Sequence, residues 1–162
     1  MFRINGIICV GVTIISISYD KGVLGMAVEV YLTFNGNCRE AVAFYEKVFN
    51  VENTQLMTFG DAQMGSDHQL PEEAKALIMH TRLSILGSNI MFSDVFPGSP
   101  FTIGNNITLA IVVDDEVQLR AAYEGLKEGG KVVMELQETF WSKCYGAVTD
   151  KFGIEWQFNL EE

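Results

Sequence analysis

The chain has 162 residues, 48% hydrophobic and 20% charged, with 3 prolines and no low-complexity tract, which excludes a disordered protein or a string of ordinary-sized domains. Lys and Arg number 11 against 21 Asp and Glu, a net charge of −10, so nucleic acid and anionic membrane surfaces are repelled as partners. Cys9, Cys38 and Cys144 are odd in number, far apart and outside any CxxC or Cys/His pairing, which excludes a disulfide framework or zinc knuckle and suits a reducing compartment.

Residues 1–25 differ in composition from the rest. The apolar run Ile7–Ile17 is too short to span a bilayer as a helix, which takes roughly 20 residues. Ser16 and Ser18 resemble the small residues before a secretion cleavage point, but Arg3 is the lone basic residue ahead of the run. The β-branched residues Ile7, Ile8, Val10, Val12, Thr13, Ile14 and Ile15 predict an extra strand, an N-terminal extension to which Met26 offers an alternative start.

From Met26 the order of elements is regular. Val28–Phe34 alternates apolar and polar residues, the pattern of a half-buried strand. Asn37 and Glu40 are spaced as a capping box, and the following helix gathers Ala41, Phe44, Tyr45, Val48 and Phe49 on one face. Strands are predicted at Gln55–Phe59, Leu77–Leu86 and Asn89–Phe92. A polar loop with Gly65, Asp67, His68 and Pro71 separates the first two, and a tight turn at Gly87-Ser88 joins the last two.

The order then repeats. Ile107–Val113 reads as a strand, Asp115 and Gln118 as a second capping box, and Val117–Lys127 as a helix stopped by Gly129-Gly130. Strands follow at Val132–Leu136, Cys144–Thr149 and Ile154–Leu160. Ala43-Phe44-Tyr45-Glu46 matches Ala121-Ala122-Tyr123-Glu124, and Gly87-Ser88-Asn89-Ile90-Met91-Phe92 matches Gly153-Ile154-Glu155-Trp156-Gln157-Phe158. The expectation is an internal duplication, βαβββ–βαβββ, with module 1 at 26–94 and module 2 at 105–162 of a single domain.

Tyr31-Leu32-Thr33-Phe34-Asn35-Gly36-Asn37-Cys38 leading into Glu40-Ala41 and Phe44-Tyr45 resembles the PhnB-like branch of the vicinal oxygen chelate superfamily, as do Met79-His80, Phe92-Ser93-Asp94 and Thr149-Asp150-Lys151-Phe152-Gly153 with Trp156. The superfamily includes glyoxalase I, extradiol dioxygenases and bleomycin-resistance proteins. The resemblance implies an α+β fold of two curved mixed sheets, helices on the convex face and a cavity on the concave one, in a cytoplasmic bacterial protein. Some PhnB-like chains carry a 3-demethylubiquinone methyltransferase label. No glycine-rich loop follows the first strand here, and the chain has no room for a methyl-donor-binding α/β sheet.

Strand alternation assigns side chains to the cavity face. Val28, Val30, Leu32 and Phe34 should pack under the helix, leaving Glu29, Tyr31 and Thr33 for the cavity. Leu77, Met79, Leu83 and Ile85 should face the helix, so Ile78, His80, Arg82 and Ser84 face the cavity, joined by Met91, Ser93, Thr108, Ala110, Glu155, Gln157 and Asn159. Tyr31, Thr33, His80, Arg82, Met91, Thr108, Trp141 and Gln157 are the candidate ligand-binding residues, and Glu29 and His80 the candidate proton-transfer groups. The four positions that hold metal in metal-dependent relatives fall at Glu29, Met91, Thr108 and Gln157. Glu29 is a good ligand for a divalent ion and the other three are poor ones, so no metal or other cofactor is expected, His80 being the residue that could add a ligand.

Each of these residues also has a structural reading. Glu29 and Arg82 could form an ion pair, and His80 could be a hydrogen-bonded framework residue. Cys38 reads as a small buried helix-start residue rather than a thiol of depressed pKa, Trp141 and Trp156 as core or interface residues, and His68 as exposed. The glycosylation sequon at Asn106 lies in a strand and carries no meaning there. Three function classes remain: a small-molecule binder, a lyase- or isomerase-type enzyme, and a structural dimer with a vestigial cavity. The acidic charge favours a binder of cationic compounds. Because four strands cannot close a half-barrel alone, two must pair, within the chain or across a two-fold axis, and a homodimer with pockets at or near its interface is expected.

Overall fold

In a computed structural model, residues 28–53, 55–62, 70–96 and 98–161 are described. The segment 1–27, with its expected extra strand, and the loop residues Gly65, Asp67 and His68 lie outside them. The elements are β1 (Val30–Phe34), α1 (Cys38–Phe49), β2 (Leu56–Thr58), the one-turn α2 (Glu72–Lys75), β3 (Ile78–Ile85), β4 (Ser88–Asp94), β5 (Leu109–Val113), α3 (Glu116–Leu126), β6 (Lys131–Gln137), β7 (Tyr145–Thr149) and β8 (Glu155–Leu160). They build two four-stranded mixed sheets of identical topology, β1-β4-β3-β2 and β5-β8-β7-β6. In each, the first strand runs parallel to the last and forms an edge. The α+β duplication expected from the sequence is the fold.

The two helices start differently. Asp115 caps α3 as its spacing predicts, accepting the N–H groups of Val117 at 2.8 Å and Gln118 at 3.2 Å. Asn37 makes no side-chain cap on α1. Asp94, brought beside Phe34 by the parallel pairing of β1 and β4, takes that place: its Oδ1 accepts the N–H groups of Gly36 (2.9 Å) and Cys38 (3.0 Å), and its Oδ2 that of Ile78 (2.9 Å). A carboxylate accepts more strongly than an amide and complements the positive end of the helix. Glu40, freed from the expected box, pairs with Lys151 of module 2 at 2.8 Å. The turn between β3 and β4 is centred on Leu86 and Gly87, both left-handed (φ 49° and 82°), one residue earlier than expected. Two positive φ values in a row are what a two-residue hairpin turn needs.

One core serves both modules. Leu83, Ile85, Ile90 and Phe92 of the first sheet join Ile111, Val148, Trp156 and Phe158 of the second, around Tyr45 of α1 and Leu119, Tyr123 and Leu126 of α3. The helices touch closely where Gly125 meets Val48: a Cβ at Gly125 would lie 2.9 Å from Val48 Cγ1. Because the helix-side residues of both sheets share this core, the opposite faces of both sheets point outward. Cys38 is fully buried, and burial, reinforced by the nearby Asp94 charge, pushes its thiol up to about 12.

Candidate functional site: the outward faces of the two sheets

On the first sheet, register sets Tyr31, Met91 and Arg82 side by side across β1, β4 and β3, with Thr33 beside Ser93 in a parallel row and His80 opposite Met57 of β2. The Tyr31 hydroxyl lies 3.4 Å from His80 Nδ1, a long contact, with ring centroids 6.0 Å apart. Alternation therefore assembles Tyr31, Thr33, His80, Arg82 and Met91 on one face. On the second sheet, Thr108 Oγ1 donates to Glu155 Oε2 at 3.2 Å and Tyr145 OH to Gln157 Oε1 at 3.0 Å. Trp141 packs edge-on against Tyr145 (5.4 Å) and Phe140 (4.4 Å); Phe140 is 95% exposed and Trp141 54%. The eight candidate residues thus form two clusters on two outward faces of the chain, not one.

Two orientations differ from expectation. Ile78 was placed on the cavity face but is wholly buried in the core. Met57 pairs with His80 whereas Thr58 pairs with Ile78, so Met79 is an extra residue and the alternation inverts there. Val28 precedes β1 and is fully exposed rather than packed under α1. No ion pair joins Glu29 to Arg82 among the described residues; Glu29 precedes the edge strand, while Arg82 stands two strands away, about 10 Å at the usual strand spacing. Trp156 is a core residue, 2% exposed, whereas Trp141 stands out from the single chain. Met57, Phe140 and Tyr145 were missed as face residues. Alternation within Gln55–Phe59 and Cys144–Thr149 marks the first and last, and Phe140 adjoins Trp141 in sequence.

A cleft of about 690 Å³ runs along the edge of β1 and the connection 100–107, lined by Glu29, Tyr31, Thr33, Phe101, Ile103 and Glu155 among others. It takes in Tyr31 and Thr33 of the ligand set but not His80, Arg82 or Met91. The four positions equivalent to the relatives' metal ligands divide two to each face. Met91 offers a thioether, and the Thr108 hydroxyl and Gln157 amide oxygen are already engaged, so the donor set does not fit a divalent ion. No cluster of three His, Cys, Asp or Glu side chains with metal-binding geometry occurs among the described residues.

Tandem βαβββ modules around a shared core define the fold of the vicinal oxygen chelate superfamily, and a glyoxylase/bleomycin resistance protein/dioxygenase domain from Frankia sp. EAN1pec shares it at 16% identity (TM-score 0.59, 86% of this chain and 100% of that one). Within that class the chain belongs to the PhnB-like family described as 3-demethylubiquinone-9 3-methyltransferase, whose sequence pattern matches residues 26–159. It is 33% identical over 144 residues to Protein YjdN of Escherichia coli (strain K12), covering 83% of this chain and 95% of YjdN. The crystal structure of protein PA1353 from Pseudomonas aeruginosa is similar at 34% identity and TM-score 0.74, covering 85% of this chain and 98% of that one.

Proposed function

We propose that the protein binds a small organic molecule on the outward sheet faces, as a homodimer and without a full metal site. The observation that carries this reading is the face itself: a phenol, an imidazole, a guanidinium, a hydroxyl and a thioether at Tyr31, His80, Arg82, Thr33 and Met91 converge on a surface that the core does not use. Apolar side chains on both outward faces (Tyr31 at 47% and Met57 on the first, Val112, Phe140 and Trp141 on the second) are exposed in the single chain, and a second copy laid over them would turn open faces into pockets. Two buried free thiols, Cys38 and Cys144, fit a reducing cytoplasm. No helix among the described residues is long and apolar enough to cross a membrane.

The reading needs no cofactor. The methyltransferase description attached to the family is not carried over, since neither sheet has the glycine-rich strand-to-helix loop that a nucleotide-like methyl donor requires. An enzyme using Glu29 or His80 for proton transfer is the second reading, favoured by the imidazole lying beside a phenol on that face. Glu29→Gln and His80→Gln test both. The expected result is an unchanged melting temperature with loss of binding of whatever organic molecule co-purifies; unfolding with binding retained would contradict the site.

A further inference from the structure

We propose that the outward face of the first sheet recognises a carboxylate on a small acid with an apolar body, with Arg82 as the partner of the anion. This deepens the binding reading above and rests on it. Among the described residues Arg82 is the arginine with no partner: Arg39 bonds the Ala76 carbonyl at 3.3 Å, and Arg120 pairs with Glu116 at 2.6 Å. The place of Arg82 explains why. β3 is an interior strand, and the residues around Arg82 on that face are His80 and Ser84 on its own strand, Met91 on β4 and Tyr31 beyond it, none of them acidic; the acidic residue of that face, Glu29, precedes β1 two strands away.

The fork of a guanidinium matches a carboxylate in two parallel hydrogen bonds, and the neighbouring hydroxyls and imidazole supply further donors. Met57, Met91 and the Tyr31 ring give a soft apolar floor for the ligand's body. The overall charge of −10 argues for a cation at long range. At contact distance it counts for less, because exposed charges beyond about 8 Å are largely screened at physiological salt. The groups within reach of the ligand decide its sign.

Phenylacetate, phenylacetamide and phenethylamine share a skeleton and differ in charge, so they serve as probes. Each is titrated into the full chain while the NMR signals of His80 and Met91 are followed, with wild type, Arg82→Met and Arg82→Lys. Phenylacetate is expected to shift both signals and to bind about tenfold more tightly than the amide. Arg82→Met should lose that preference at an unchanged melting temperature, and Arg82→Lys should keep part of it. Tighter binding of phenethylamine, or phenylacetate binding that ignores Arg82→Met, would overturn the anion assignment while leaving the small-molecule reading standing. If no probe moves the face signals the assignment falls as well; the wider reading falls only if the purified protein also carries no organic molecule.

Discussion

The Tyr45 hydroxyl, on α1 of the first module, donates a 2.7 Å hydrogen bond to Asp150 Oδ2, at the β7–β8 turn of the second. The same oxygen accepts the Trp156 indole N–H at 2.9 Å, and Oδ1 accepts the backbone N–H groups of Phe152 (2.9 Å) and Ile154 (3.0 Å). One buried carboxylate thus fixes a turn, a core tryptophan and the first helix of the other module. It holds the helix sides of the two sheets against each other, which keeps the polar faces outward.

Tyr45→Phe should therefore destabilise the protein by about 1.5–3 kcal/mol, the usual scale for a hydrogen bond to a charged group. Urea denaturation checks the value. Ligand binding at the sheet faces should survive, because Tyr45 is wholly buried and reaches neither face.

Alkaline pH should unfold the protein through its buried acids. The Cys38 thiol, ordinarily 9.0, is pushed up to about 12 by burial and by Asp94. The folded state therefore holds its proton more tightly than the unfolded chain. That contribution is intact below pH 9 and is lost as pH rises from there toward 12. Tyr45, raised first by burial and then by the Asp150 charge, adds to the loss above pH 10. Stability measured from pH 8 to 11 should fall, and Cys38→Ala should delay the onset; a flat profile would show that neither group is buried as described.

The two tryptophans should separate in fluorescence. Trp156 is buried and Trp141 is half-exposed, so acrylamide should quench one population and spare the other. Trp141→Phe should remove the quenchable part and leave a blue-shifted emission. Protection of Trp141 in the wild type at micromolar concentration would mark it as covered by a second copy.

Gly125→Leu should separate α1 from α3, since even a Cβ at that position meets Val48 at 2.9 Å. Overpacking of this kind costs about 1–3 kcal/mol. Thermal denaturation reads the loss, and Val48→Ala in the same chain should return part of it.

Much of this was legible in the sequence because it is local. Alternation placed Tyr31, Thr33, Met91 and Gln157 on the outward faces, and the Asp115 spacing gave the α3 cap. Long-range effects were not visible. Asp94, which accepts from Gly36 across 58 residues of chain, displaces Asn37 as the cap of α1, and Tyr45 meets Asp150 across 105. The bulge at Met79 inverts one end of β3 and buries Ile78, which no periodicity announces. The division of the candidate site between two faces follows from the shared core, and that depends on how the modules pack rather than on either strand pattern.

Native mass spectrometry of the chain purified without chelators tests the central claim most directly. The account predicts a dimer of the 18.0 kDa chain carrying a small organic molecule and no stoichiometric metal, with the organic molecule lost in His80→Gln. A monomer, or a dimer holding one divalent ion per site and no organic ligand, would contradict it.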